Sequence, residues 1–183
     1  SDIRNIFFSN LAKGIEDECR RNGWNLILCN TNDMHMREKD YIRVLADKGV
    51  DGILFVMAAD NDSQTARESI QIMEELKIPF IMVDRDLEGD DCHTVIVDHF
   101  QGGYIATKHL IDLGHRRIAC VAALESIQGS LNRLDGYKKA LQEANIEYDA
   151  SIVYNGKYRW EGGSEAVEYL SDKDYTAIFA FND

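Results

Sequence analysis

Apolar residues recur along this chain in short runs, and longer segments of mixed polarity separate the runs. The runs show no alternation of apolar and polar positions, which is typical of strands that are buried on both faces. In chain order they are WNLILCN, VDGILFVM, IPFIMVD, CHTVIVD, RRIACVAA, SIVYNG and YTAIFAFND. Such strands, separated by helices, predict an α/β fold in which right-handed crossovers place helices on both faces of parallel sheets.

The segments between the runs place apolar residues three and four positions apart, which predicts amphipathic helices. The predicted helices cover approximately residues 9–21, 36–49, 63–76, 101–113, 132–145 and 160–173. Gly23, Gly49 and Gly114 follow three of these segments, at the position where a glycine commonly ends a helix. Ser63 and Asp98 lie where they would cap the N-termini of the third and fourth helices.

The two ends of the sequence do not match a complete domain of this class. The first predicted element is a helix with no strand before it, and the sequence stops directly after its last apolar run. A doubly wound domain ordinarily begins with a strand. We therefore expect the sequence to be an incomplete piece of a longer chain.

Composition narrows the partners that these residues can bind. The 183 residues carry a formal net charge of -12. A surface this acidic repels phosphate backbones, so the residues are poorly suited to bind nucleic acid themselves. No apolar run approaches the length of about 18 residues that a membrane span needs, so we expect none.

The four cysteines, Cys19, Cys29, Cys92 and Cys120, are scattered, without a CxxC pair or a metal-ligand spacing. The acidic run 84–91 lacks the alternating carboxylates and the final glutamate of a calcium loop. We therefore expect reduced thiols in a cytoplasmic protein, and neither a metal nor a cofactor.

Polar, charged and aromatic residues collect where the predicted strands end. Ligands of open α/β sheets bind at the carboxyl ends of the strands. The residues found there are Asp84 with Arg85, the segments 124–133 and 156–160, and Asn182 with Asp183. A loop with Asn5, Phe7 and Phe8 is expected at the start of the chain. This mixture of planar donors, acceptors and rings suits a small polyhydroxylated or heterocyclic ligand.

The group His115-Arg116-Arg117 lies at the other end of a predicted strand. It directly follows Gly114, where cations interact favourably with the C-terminus of the preceding helix. We interpret these three residues as a joint between a helix and a strand, and not as a ligand site.

With these residues in view, the chain resembles the ligand-binding core of lactose/galactose-repressor (LacI-type) transcriptional regulators, which shares its fold with periplasmic sugar-binding proteins. The segments that carry the resemblance are RNIFFSNLAKGIEDECRRNGWNLILCNT, GVDGILFV, IPFIMVDR, VDHFQGGYIATKHLIDLGHRRIACV, RLDGYKKAL and YTAIFAFND. Each segment is short, but their order and spacing extend over essentially the whole chain.

The resemblance implies two doubly wound parallel-sheet subdomains of the periplasmic binding protein type I kind, with the effector in the cleft between them. Residues 1–97 match an N-terminal subdomain without its first strand, and residues 98–183 match part of a C-terminal one. The family's helix-turn-helix DNA-binding head is absent from this sequence. The missing strand would lie inside its sheet, so we expect the whole molecule to contain it or a substitute, because its neighbours would otherwise keep unpaired ladder groups.

The resemblance also implies which residues contact the effector. The positions that match the family's motifs are Phe7, Phe8, Asp84, Arg85, Arg133, Tyr158 and Asn182. The aromatic pair matches a loop whose rings pack on the effector, although Ile6 replaces the proline that is usual there. Gly129 stands where relatives often place a ligand-contacting hydroxyl, and Ser126 or Ser130 would substitute only if the loop shifts.

Each candidate also has a purely structural interpretation. The aromatic pair would staple the first helix to the core. Arg85 would pair with the acidic run that follows it. Arg133 would pair with Asp135 or Glu143, although neither spacing is that of a helical ion pair. Tyr158 would only cover one side of the cleft.

The leading hypothesis is an effector-sensing module of a homodimeric transcriptional repressor, in which a sugar or related metabolite closes the cleft and thereby controls operator affinity. Operator DNA would bind the absent head, which fits the acidic charge. The alternative is a sugar-binding receptor of a transport or chemotaxis system on the same fold. An enzyme is disfavoured, because GxGxxG, GxxxxGK[ST] and GxSxG are all missing.

Overall fold

The computed structural model of the chain describes residues 2–58, 63–85, 87, 91–123, 128–158 and 160–182. The chain divides into two compact units, unit 1 (Ser1–Ile96) and unit 2 (Val97–Asp183). The described residues of each unit form one three-stranded parallel sheet and the helices that connect its strands. The assignment of the units as subdomains of an effector-binding core stays a prediction.

Unit 1 starts with helices α1 (Ile6–Arg21) and α2 (His35–Asp47), followed by strand β1 (Ile53–Phe55). Helix α3 (Ser63–Glu75), strand β2 (Phe80–Val83) and the short strand β3 (Thr94–Val95) come next. The strands lie in the order β1-β2-β3, with Ile53 opposite Phe80 and Met82 opposite Thr94. Apolar side chains of the sheet pack against α2 and α3 to form the core of the unit.

Unit 2 starts with helix α4 (His99–Asp112), strand β4 (Ile118–Ala122) and helix α5 (Gln128–Glu143). A 3-10 helix (Ala150–Ile152), strand β5 (Val153–Asn155), helix α6 (Trp160–Leu170) and strand β6 (Ala177–Ala180) follow. The central strand is β4, because the order is β5-β4-β6, and Cys120 lies opposite both Val153 and Phe179. The core of the unit lies between this sheet and helices α4 and α5.

All six predicted helices are present, and the predicted caps Gly23, Gly49, Gly114 and Asp98 are confirmed. Ser63, also predicted as an N-cap, is instead the first residue of α3. Gly23, Gly49 and Gly114 have φ values of 76°, 66° and 96°, in the left-handed region that glycine adopts at helix ends. The Asp98 side chain accepts a hydrogen bond of 2.8 Å from the Gln101 N–H and so caps α4.

The start of α1 differs from the prediction. The helix begins at Ile6, because the Asn5 side chain caps it by accepting a hydrogen bond of 3.0 Å from the Phe7 N–H. Phe7 and Phe8 therefore lie in the first turn of a helix, and the expectation that they belong to a loop was wrong.

The first apolar run, residues 24–30, is not a strand, so that prediction was also wrong. No other strand pairs with this run among the residues that the structure describes. A strand forms only where a neighbouring strand can pair with its backbone N–H and carbonyl groups. The apolar side chains of this run are exposed, among them Trp24, Ile27 and Leu28 at 57%, 50% and 57%.

The residues His115 and Arg117 join elements at the amino end of β4, as predicted. His115 Nδ1 lies 2.9 Å from Thr176 Oγ1, within hydrogen-bond distance. Arg117 Nε donates to the Asp174 carbonyl oxygen at 2.6 Å, and its guanidinium pairs with Asp149 at 3.4 Å. Both side chains thus hold the segments that lead into β5 and β6.

Helices α4 and α5 pack closely because glycines lie at their contact. A Cβ added to Gly103 of α4 would lie 2.3 Å from the Arg133 carbonyl oxygen. A Cβ added to Gly136 of α5 would lie 2.1 Å from the Phe100 carbonyl oxygen. Both distances are far below van der Waals contact, so the two backbones touch where any side chain would hold them apart.

All four cysteines are free, and Cys120 is the buried one. Its place at the centre of the unit 2 sheet raises the pKa of its thiol from 9.0 to about 12, because burial disfavours the thiolate. Among the described residues, no helix combines the length and the apolar character needed to cross a bilayer.

The substitution Gly136→Ala should destabilise unit 2 by about 1–3 kcal/mol, because the new methyl group must push α4 and α5 apart. Urea unfolding followed by circular dichroism measures the change. Gly102→Ala is the matched control, since no atom lies within 4 Å of a Cβ at that position. The close contact is refuted if the two variants are equally stable.

Alkylation by iodoacetamide at pH 8 should be at least about a hundred-fold slower at Cys120 than at the partly exposed Cys19, because only the thiolate reacts. Peptide mass spectrometry after timed quenching gives both rates. In urea the two rates should converge, and similar rates in the native protein would contradict the burial of Cys120.

Candidate functional site

The strand ends of unit 2 carry a polar cluster centred on Arg133, in the second turn of α5. Arg133 Nη1 donates to the carbonyl oxygen of Phe181 at 2.9 Å and to Tyr158 Oη at 3.1 Å. Phe181 directly follows β6, and Tyr158 lies in the turn after β5. The carboxyl ends of these strands therefore bring together two predicted effector contacts, Arg133 and Tyr158.

The position of the Tyr158 side chain is fixed by a hydrogen bond with Ser130. The two hydroxyl groups share a hydrogen bond of 2.7 Å, and Ser130 is fully buried. Lys157 and Tyr158 have φ values of 55° and 54°, which costs non-glycine residues roughly 1 kcal/mol or more each. Such a turn persists only where the surrounding contacts fix it, and here it directs the Tyr158 ring to within 5.9 Å of the Arg133 guanidinium.

His99 is a further member of this cluster, and the sequence analysis did not identify it. Its Nδ1 lies 3.2 Å from Arg133 Nη2. Since a guanidinium only donates, Nδ1 is the acceptor and carries no proton in this arrangement. In the sequence, the one hint to His99 is its position directly after the predicted cap Asp98. Its contact with Arg133 is not visible there, because 34 residues separate the two. His99, Ser130, Arg133, Tyr158 and the Phe181 carbonyl are called the Arg133 cluster below.

The His99 ring explains why position 129 is a glycine. A Cβ at Gly129 would lie 2.5 Å from His99 Cδ2, so the ring fills the space that a side chain would need. Ser130 does not replace the missing hydroxyl, because its own is buried and bonded to Tyr158. Ser126, the other candidate, lies outside the described residues.

Arg133 has no carboxylate partner among the residues that the structure describes. Its bonds go to a phenol, a carbonyl and an imidazole, all of which are neutral in these pairings. The suggested pairs with Asp135 and Glu143 do not form, and Glu143 instead accepts a hydrogen bond from Tyr104 at 2.7 Å. A half-buried cation whose described partners are all neutral attracts an anionic or strongly polar ligand group.

Unit 1 carries a second arginine-centred group, the Arg85 cluster, made of Phe8, Asp33, Met57, Asp84 and Arg85. Arg85 Nη1 pairs with Asp33 Oδ1 at 3.1 Å and donates to the Met57 carbonyl oxygen. Its Nε lies 3.7 Å from Asp84 Oδ2, and its side chain is only 12% exposed. Among the described residues, Asp33 and Asp84 are its acidic partners, and Asp33 was missed because 52 residues separate it from Arg85.

The aromatic pair of α1 divides between two environments. Phe8 is 7% exposed, and the Arg85 guanidinium lies 5.5 Å from the centroid of its ring. Phe7 is 42% exposed and meets Phe8 edge to face at 5.1 Å. Phe8 therefore packs in unit 1 and supports Arg85, whereas Phe7 has a ring face available to a ligand.

The remaining candidates are placed but not brought into either cluster. Asn182 is exposed and follows Phe181, whose carbonyl oxygen binds Arg133. Asp183 and most of the acidic run after Arg85 lie outside the described residues. Among the residues that are described, no group of three or more His, Cys, Asp or Glu side chains is arranged to hold a metal.

The substitution Gly129→Ala should cost about 1–2 kcal/mol of unit 2 stability, because the His99 ring must move and its bond to Arg133 breaks. In a His99→Ala background the same substitution should be neutral or stabilising, since the space is then free and alanine favours helix. Urea unfolding of the four proteins gives the coupling energy. Additive effects would show that the ring does not fill this space.

Comparisons with known proteins agree with this architecture. The sequence profile for periplasmic binding proteins and the sugar binding domain of the LacI family matches residues 2–183. The HTH-type transcriptional repressor PurR of Vibrio atlanticus (strain LGP32) is 38% identical over 181 residues, covering 98% of this chain and 53% of PurR. The HTH-type transcriptional regulator DegA of Bacillus subtilis (strain 168) is 39% identical over 184 residues, covering 100% of this chain and 54% of DegA. The chain thus spans about half the length of these relatives.

Solved structures show the same fold. A LacI family transcriptional regulator from Enterococcus faecium with bound ribose has a TM-score of 0.81 and 33% identity, covering 98% of this chain and 63% of that one. CcpA of Lactococcus lactis has a TM-score of 0.81 and 26% identity, covering 97% and 64%. The predicted periplasmic binding protein type I-like fold is therefore confirmed. Because the profile extends over nearly every residue, this chain belongs to the family of periplasmic binding proteins and LacI-type sugar-binding domains.

Proposed function

We propose that this chain is the effector-binding module of a DNA-binding transcriptional repressor, and that its effector is a sugar or a related small metabolite. Family membership and relatives named as transcriptional repressors support the proposal. The observation that carries it is Arg133, a cation with only neutral partners among the described residues, at the carboxyl ends of a parallel sheet. An arginine in that position is free to bind a polar ligand group.

The two clusters offer different chemistry to a ligand. The Arg133 cluster has a net positive charge and suits a ring oxygen, a carbonyl or an acidic group. In the Arg85 cluster, Asp33 and Asp84 exceed the charge of Arg85, so hydroxyl groups that donate to carboxylates are the better match. In unit 1, Phe7 would pack on the apolar face of a sugar ring, with Phe8 supporting Arg85 behind it. In unit 2, Tyr158 and Asn182 would offer polar contacts. A neutral, polyhydroxylated effector fits this set.

The proposed mechanism is a shift between conformations of the core. An effector that binds one conformation more tightly raises its population, and operator affinity changes with it. Effector and operator then alter each other's affinity by the same factor. Operator contacts belong to a separate DNA-binding head, because a net charge of -12 repels phosphates. We further propose a cytoplasmic homodimer without catalytic activity, since a repressor acts on DNA and commonly binds paired half-sites.

The substitution Arg133→Ala should weaken effector binding about tenfold or more, because hydrogen bonds to a charged group are lost. Thermal shift and calorimetric titration with pentoses, hexoses and purines identify the ligand class first. The relative's bound ribose makes pentoses the first choice. Arg116→Ala is the matched control, because Arg116 is exposed and lies at the amino end of β4.

Unchanged affinity in Arg133→Ala, with the fold intact, would refute the assignment of the Arg133 cluster. The absence of any binding across the panel would refute the proposed effector class. A ligand that binds without altering the DNA affinity of the full-length protein would instead favour a transport or chemotaxis receptor on this fold.

A further inference from the structure

One peptide group in unit 1 is hydrogen bonded at both ends by side chains of opposite charge. The group joins Met57 to Ala58, just beyond β1. Its carbonyl oxygen, on Met57, accepts a hydrogen bond from Arg85 Nη1. Its N–H, on Ala58, donates to Glu38 Oε1. The peptide thus stands between a guanidinium and a carboxylate.

Glu38 is a buried carboxylate on α2, with only 2% of its surface exposed. The fully buried hydroxyl of Ser69 on α3 donates to its Oε2 at 3.3 Å. Burying a carboxylate is costly unless hydrogen bonds or nearby charges stabilise the ionised form. Both Glu38 oxygens accept hydrogen bonds from groups of unit 1, as the oxygens of an ionised carboxylate do.

The geometry of the peptide group links Glu38 to Arg85. The group is planar, and its dipole is positive at the N–H and negative at the carbonyl oxygen. Glu38 and Arg85 therefore stabilise the same orientation of the peptide from opposite ends. Charge-assisted hydrogen bonds are stronger than neutral ones, and bonds in a chain polarise one another. A rotation of this peptide would break both bonds together, so the position of the guanidinium is coupled to Glu38.

We propose that Glu38 is a positioning residue for Arg85 and acts through the peptide between Met57 and Ala58. This peptide and Asp33 both engage Arg85 Nη1, so the guanidinium is fixed before any ligand arrives. A fixed donor loses less conformational entropy on binding than a mobile one. The functional part of the proposal rests on the proposed role of Arg85 as an effector contact, but the positioning itself does not.

The competing explanation is that Glu38 only holds α2 and α3 together. The nearby Lys39–Glu68 ion pair also joins these two helices, and it provides a comparison. Glu38→Gln and Glu68→Gln make the same chemical change, from a carboxylate to an amide. Only the first alters the charge that acts on the peptide between Met57 and Ala58.

The experiment compares the reactivity of Arg85 toward phenylglyoxal in the native protein and the two variants. Peptide mass spectrometry gives the modification rate of each arginine without any ligand. Glu38→Gln should raise the rate at Arg85 about five-fold, because the peptide that Arg85 Nη1 binds loses the charged acceptor that fixes its orientation. Glu68→Gln should leave the modification rate of Arg85 unchanged. The modification rate of the exposed Arg4 should be the same in the native protein and in both variants.

Amide hydrogen exchange separates positioning from general loosening. The Ile53 and Met82 N–H groups bond to Pro79 and His93 carbonyl oxygens at 2.9 Å and report on the sheet. They should keep their protection in Glu38→Gln, while the Ala58 N–H exchanges faster. An unchanged Arg85 rate would overturn the proposal, and so would a parallel loss of protection at Ile53 and Met82.

A reciprocal variant keeps the proposal testable if Glu38→Gln does not fold. Arg85→Lys cannot reproduce the planar geometry of the guanidinium, so the Ala58 N–H should exchange several times faster in this variant. Equal Ala58 protection in Arg85→Lys and the native protein would overturn the coupling. If the coupling holds but Arg85→Lys binds sugars like the native protein, the effector role of Arg85 fails and the positioning stands.

Discussion

The polar contacts of the Arg133 cluster depend on how closely α4 and α5 approach each other. His99 opens α4, whereas Ser130 and Arg133 lie in the first two turns of α5. Gly103 and Gly136 let the two backbones touch, and this contact sets the distance across which His99 reaches the guanidinium. Gly103 and Gly136, which have no side chains to bury, thus determine how close His99 lies to the Arg133 guanidinium.

The two arginines are similar in placement and opposite in electrostatics. Both follow the carboxyl ends of parallel strands, and both bind a backbone carbonyl oxygen there. Arg85 pairs with two carboxylates, Asp33 at 3.1 Å and Asp84 at 3.7 Å, which hold the guanidinium in place. Arg133, in contrast, has only neutral partners among the residues that the structure describes.

The sequence predicts the helices and most strands because their periodicity is local, and it predicts the ligand edge because parallel strands end together. It fails for residues 24–30, since a strand also requires a partner that apolar character alone does not provide. His99, Asp33 and Glu38 were missed because their partners lie 34, 52 and 20 residues away. Contacts of that range follow from packing, and no local pattern encodes them.

The contact between His99 and Gly129 has a consequence for the evolution of this site. The His99 ring occupies the space that a side chain at position 129 would need, so a substitution at one position affects which residues the other accepts. A side chain at position 129 is tolerated more easily where the residue at position 99 is smaller than histidine. Among related sequences, the two positions should therefore covary, and a hydroxyl at one should accompany a smaller residue at the other.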